Sequence, residues 1–242
     1  MQPKTQESKD IQTVNRIVVT LRPYLCLEDT ITTFVQERTA KQIEEIKTPG
    51  LKNSALAVYF FTLGDVELGK AYAEESLKFI PNDVVAWRHY IVGLFWRCGA
   101  VEALKLSKRA IEFTNSPILV SDAYYYSSAI ADFPYFLKMR ELLLRTEKYE
   151  DFAEKEQEPD MIRSLEYAKI VTSYKKENTI KSVSELMYER LKLEQKLHSV
   201  VRIIDVTEDD EQPELLFEMH IPKSEPDVCA TMNTDLIAAR VR

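Results

Sequence analysis

Apolar side chains recur at helical spacing along most of this chain, and the runs they form are cut at nearly regular intervals by helix-stopping residues. Between Leu51 and Pro117 the cuts fall at Gly64-Asp65, Pro81-Asn82, Gly99 and Asn115-Ser116-Pro117. Glycine accepts the left-handed conformation that ends a helix, and proline lacks the N–H and collides with the preceding turn. Four helices are therefore predicted here. Upstream, Ile11, Val14, Ile17, Val18 and Leu21 keep helical spacing until Pro23 ends the element, although Ile17-Val18-Val19 also suits a strand. A second helix is expected from Glu28 to Lys47, its acidic start matching the positive helix end, with Thr48-Pro49-Gly50 as the stop. Residues 1–9 read as a mobile tail.

Beyond Pro117 the regularity loosens. A helix from Val120 to Asp132 carries Tyr124-Tyr125-Tyr126, Phe133-Pro134 marks a break, and Tyr135 to Lys148 forms a third pair in shape. The charged segment Tyr149 to Glu158 leads through Pro159-Asp160 into a helix from Met161 to Lys176. Thr179 to Ser182 is expected to turn the chain. Ser182-Val183-Ser184-Glu185 matches a capping box, in which hydroxyl and carboxylate satisfy the first N–H groups of a helix running to about His198. The pattern then changes from helical to alternating. Val200 to Val206 is β-branched, and Leu215, Phe217, Met219 and Ile221 alternate with Leu216, Glu218 and His220, which predicts two strands joined by the acidic turn Thr207 to Pro213. A last helix is expected from Ser224-Glu225-Pro226-Asp227 onward.

Sliding the central stretch on itself by about 34 residues, the tetratricopeptide period, lays Leu56 on Tyr90, Phe60 on Leu94, Gly69 on Ala103, Ser76 on Ala110 and Phe79 on Phe113. Large falls on large and small on small. On these residues the stretch resembles the tetratricopeptide (TPR) family: Leu56-Ala57, Gly69, Ser76 and Pro81 fit the first copy, and Trp87, Ala103 and Ala110 the second. Helices that cross closely need small side chains at the contact and bulky ones between pairs. Asn53, Ile91 and Asn115 depart from the pattern, and Gly99 falls one residue late. The resemblance covers about two repeats. It implies a mainly α fold, a TPR-like right-handed α-α solenoid, to which the C-terminal hairpin and helix add a small α+β appendage. The domains are then a helical repeat region over residues 10–198 and an α+β element over residues 199–242.

Composition narrows the partners. With 45% hydrophobic and 29% charged residues and only 5 glycines, the chain is neither disordered nor fibrous. A net charge of −7 argues against a general nucleic-acid binder, which needs clustered Lys and Arg to neutralise phosphates. Cys26, Cys98 and Cys229 are odd in number, share no CxxC spacing and read as reduced thiols, which favours a cytoplasmic location. No apolar run approaches membrane-spanning length, and Met1 to Asp10 lacks the apolar core of a signal peptide.

Gly64 to Ala71 has the glycine and lysine spacing of a phosphate loop, but Ala71 stands where the magnesium-binding Ser or Thr belongs and no strand precedes it. His89, His198 and His220 are scattered, with no HExxH or Cys/His cluster around them. His89 is expected at the surface or in the groove, His198 at a helix end, and His220 on the polar side of a strand. Glu208-Asp209-Asp210-Glu211 lacks the glycine and alternation of a calcium loop. Neither a catalytic constellation nor a cofactor is expected, so an enzyme is the least favoured class.

In the TPR register the first helices of the pairs line a concave groove. It presents Leu51, Ser54, Val58 and Phe61 from the first copy and Val85, Arg88, Val92 and Phe95 from the second. Such a groove is mainly apolar with one cation. It suits an amphipathic helix laid into it, from a partner or from the chain's own ends, rather than an acidic peptide terminus. The expected function is a non-enzymatic adaptor, chaperone or assembly factor that binds another protein. The alternative is an antitoxin or immunity-type protein that masks a basic partner with its acidic surface. The hairpin also admits a homodimer through strand pairing.

Overall fold

The computed structural model describes residues 5–26, 29–146, 154, 156–193, 200–205, 215–220, 230, 231, 233 and 234. Within them the protein is mainly helical, with ten helices packed in consecutive pairs and then a two-stranded antiparallel hairpin. The helices are α1 (Gln6–Leu25), α2 (Thr33–Glu44), α3 (Pro49–Leu63), α4 (Val66–Phe79), α5 (Val84–Cys98) and α6 (Ala100–Thr114). They continue with α7 (Pro117–Ala129), α8 (Phe133–Leu144), α9 (Pro159–Ser173) and α10 (Glu177–Leu193); the strands are β1 (Val200–Asp205) and β2 (Leu215–His220). The chain divides into two compact units, Met1–Cys98 with Lys105–Leu119, and Gly99–Leu104 with Val120–Arg242. No described helix is long and apolar enough to cross a membrane.

The central punctuation acts as predicted. Gly64, Gly99 and Asn115 all take left-handed backbone (φ 84°, 88° and 48°). Asp65 caps α4, its Oδ1 accepting from the Leu68 amide at 3.0 Å, and Asp83 Oδ1 accepts from the Ala86 amide at 2.8 Å. The predicted α1 helix outgrows its expected limits. It begins at Gln6, inside the stretch read as a tail, because Thr5 caps it through the Ser8 amide. It also runs past Pro23 to Leu25, since a proline in the last turn removes one ladder bond without stopping the final residues. The second helix is shorter than expected, Thr33–Glu44.

Three side chains then lock the first unit. Buried Asp10 on α1 accepts from the Thr48 hydroxyl (2.7 Å), the Thr48 amide (2.9 Å) and the Lys47 amide (3.1 Å), supplying at the start of α3 the cap that Thr48's own side chain does not make. Burial raises the Asp10 carboxyl, but hydrogen bonds from Thr48, Gln6 and Lys47 outweigh it and hold the group below its ordinary value. Arg97 on α5 donates to the carbonyls of Phe61 and Thr62 at the end of α3 and of Tyr24 at the end of α1. These are helix-end carbonyls outside the regular ladder, two of which, Phe61 and Tyr24, otherwise accept only from the cap amides of Gly64 and Cys26, and the guanidinium meets the negative ends of both dipoles. Fully buried Phe61 fills the α3, α4 and α5 crossing. A Cβ added at Gly69 or Gly93 would stand 2.7 Å or 2.3 Å from its ring.

The second unit is built around aromatic rings. Tyr124 stacks on Phe136 with centroids 4.4 Å apart, and Phe133 and Met139 are buried beside them in sequence. Asp132 caps α8 and forms an ion pair with Lys181 of α10 at 2.9 Å, while Tyr188 donates to the Ala129 carbonyl at 2.8 Å. Here the expected turn at Thr179 to Ser182 is overturned: these residues lie inside α10, which starts at Glu177. The capping box at Ser182 therefore caps nothing. The turn falls instead at Lys175, whose φ of 53° lets the Lys176 amide reach back to the Val171 carbonyl at 3.1 Å. Ala131, with φ 55°, closes α7 in the same way through Asp132 and Ser127.

The hairpin pairs Val201 with Met219, Ile203 with Phe217 and Asp205 with Leu215. Alternation puts these six on one face, where Ile203 is buried, and puts Arg202, Leu216, Glu218 and His220 on the other; β1 packs on α9. The predicted acidic turn Thr207 to Pro213 lies outside the described residues. So does most of the last helix, of which Ala230, Thr231, Asn233 and Thr234 are helical and exposed.

Candidate functional site

The eight groove positions separate into two groups by burial. On α3, Ser54, Val58 and Phe61 are buried and Leu51 is half-buried. Val58 and Ala55 join one cluster with Val14, Ile17 and Leu21 of α1 and Ile43 and Ile46 from α2 and the loop after it, against which Leu51 packs. The apolar stripe of α1 thus lies on the face of α3 that was expected to line the groove. On α5, Val85 is 53% exposed and Arg88 is exposed, whereas Val92 and Phe95 are half-buried. Phe61, expected on the groove surface, is instead interior, because its ring is the filler between two glycines.

Midway along the α3 and α5 faces a side-chain contact joins Ser54 and His89, whose Oγ and Nδ1 lie 3.1 Å apart. His89, expected at the surface or in the groove, is partly buried there, and burial pushes its imidazole down to about 4, Arg88 adding to the effect and Asp83 opposing it. The ring is therefore neutral at pH 7 and acts as a hydrogen-bonding strut. The phosphate-loop spacing resolves into structural parts: Gly64 ends α3, Gly69 faces Phe61, and Lys70 pairs with Glu67 at 2.9 Å.

Trp87, a repeat-pattern residue, is clamped on several sides. Its Nε1 donates to the Pro81 carbonyl at 2.7 Å, Phe113 stacks at 5.7 Å, and the Arg109 guanidinium lies 5.1 Å from the ring centroid. Arg109 in turn binds Glu74 through two nitrogens at 2.6 and 2.8 Å. Glu74 is held below its ordinary value, mainly by that bond, despite burial.

The second unit contains a cleft of about 510 Å³ that the sequence pattern did not reveal. Phe133, Met161, Ser128 and Ser164 are its buried lining, and the two hydroxyls are 2.7 Å apart. Its exposed rim carries Arg163 of α9, Arg202 of β1 and His220 of β2, with Tyr125 and Tyr167 as aromatic walls. Of these only His220 and Tyr125 stood out in the sequence. Arg163 and Arg202 lie 39 positions apart, and no local spacing links them. Comparison with protein-family models, with curated proteins and with solved structures finds no match for this chain.

Proposed function

We propose that this chain is a non-enzymatic protein-interaction module, a TPR-like right-handed solenoid that holds an amphipathic helical segment of another protein. The observation that supports this most is the seating of α1 on α3. An amphipathic helix carrying Val14, Ile17 and Leu21 at helical spacing lies against Ala55 and Val58, so a first-helix face of this sequence takes such a helix as its complement. The α3 part of the groove is occupied by the chain itself. The partner is therefore assigned to the α5 part, centred on Val85 and Arg88 and flanked by Val92 and Phe95. A mainly apolar stripe with one cation selects a helix with an apolar face and an acidic flank.

The test is quantitative capture from the native cell, followed by affinity measurement with the recovered protein. Replacing Val85 and Arg88 together by Glu changes exposed side chains, so the melting temperature should stay within a few degrees while affinity falls at least about tenfold, about 1.4 kcal/mol. A folded double variant that binds like the parent chain overturns the proposal.

A further inference from the structure

We infer that the cleft of the second unit binds a ligand with one carboxylate and an apolar or aromatic body. The division of chemistry within the cleft carries this. Its depth is apolar or already satisfied: Phe133 and Met161 are buried, and the hydroxyls are engaged, with Ser164 donating to the Asp160 carbonyl at 2.8 Å and Ser128 Oγ 2.7 Å from Ser164 Oγ. The lining thus has space for a body that makes no hydrogen bonds. The rim is rich in N–H donors. Arg163, Arg202 and His220 come from three different elements and line it together, with Asp160 beside Arg163 and Glu218 beside His220 and Arg202.

The donors are not exhausted by those two carboxylates. A guanidinium has five N–H donors, and Asp160 engages only Nη2 of Arg163. Glu218 holds His220 Nε2 at 3.2 Å but lies 3.9 Å from Arg202, beyond hydrogen-bonding range. Two guanidiniums at one mouth favour a planar anion that accepts paired N–H bonds, which a carboxylate provides. Tyr125 adds an aromatic wall, and its hydroxyl stays protonated because burial raises it, reinforced by Asp160 and Glu158. The volume fits a small molecule or the end of a peptide, since such pockets run from about 300 to 1,000 Å³. The site is separate from the α5 face and stands or falls without it.

Calorimetry on the full chain with benzoate as the probe and benzamide as its neutral counterpart tests the inference. Benzoate should bind about tenfold more tightly than benzamide. Replacing Arg163 and Arg202 together by Gln should bring benzoate to the level of benzamide without changing benzamide, and Asp160→Asn should tighten benzoate severalfold. Both arginine side chains are more than half exposed, so folding should persist; if the melting transition is lost, His220→Gln makes the same comparison with a smaller expected loss. Equal binding of the two probes, no benzoate binding, or undiminished binding by folded variants would overturn the inference. A short peptide ending in phenylalanine, with its terminus free or amidated, separates the sources. Tighter binding than benzoate, lost on amidation, identifies a protein terminus as the ligand; weaker binding identifies a free carboxylate.

Discussion

Phe61 shows how one side chain can set the geometry of three helices. Its ring leaves no room for a Cβ at Gly69 or Gly93, so the small residues on α4 and α5 are steric requirements of that ring. Gly93→Ala should destabilise the protein by about 2 kcal/mol or more, and Phe61→Leu in the same chain should recover part of the loss. Urea denaturation of the two single variants and the double one measures that coupling. His89 supplies a pH effect whose sign follows from its lowered value. The unfolded imidazole takes up a proton near its ordinary pKa of 6.5, the folded one only near 4, so protonation favours unfolding and stability is lost as pH falls through that window. The loss should reach roughly 2 to 4 kcal/mol by pH 4 and should be largely absent in His89→Asn, read from denaturation midpoints at pH 7 and pH 4.5. Asp10 adds only a small loss in the same direction at the low end of this window, because its unfolded carboxyl takes up a proton near 3.8 and its folded one lower still.

Among the elements, the sequence pattern was most informative where glycine, proline or asparagine ended a helix. Gly64, Gly99 and Asn115 were visible because their residue types favour the left-handed turn they make. Ala131 and Lys175 make the same turn without any such preference, so the end of α7 and the α9 to α10 junction were displaced in the sequence reading. The strands were legible because period-two alternation is a local signal. Long-range locks were not. Nothing near Arg97 in sequence points to carbonyls of Tyr24 and Phe61, and nothing near Asp10 points to Thr48. The same holds for the candidate sites: apolar spacing indicated the α3 face but could not tell that α1 covers it, and the arginines of the cleft meet only in the fold. Arg97→Met should remove the guanidinium from three helix-end carbonyls and cost about 2 to 4 kcal/mol. Hydrogen exchange should quicken first in the last turns of α1 and α3, whereas unchanged protection there would show that the guanidinium is dispensable.

At the scale of the molecule, each compact unit carries its own candidate surface. In the first, the chain's own α1 takes the α3 face, and α5 is the proposed partner face; in the second, a cleft with an apolar depth and two arginines at its rim lies among α7, α9 and the hairpin. The net charge of −7 separates the two protein-binding readings. Masking of a basic partner by charge would make association slow steeply with added salt, whereas seating of a helix on α5 should be nearly indifferent to it. The most direct test of the α5 reading is the affinity of the captured partner for the parent chain and for the Val85→Glu, Arg88→Glu double variant, measured at low and high salt. The account predicts a loss of at least about tenfold in the folded variant and little salt dependence in the parent. Equal affinities for both chains would contradict it.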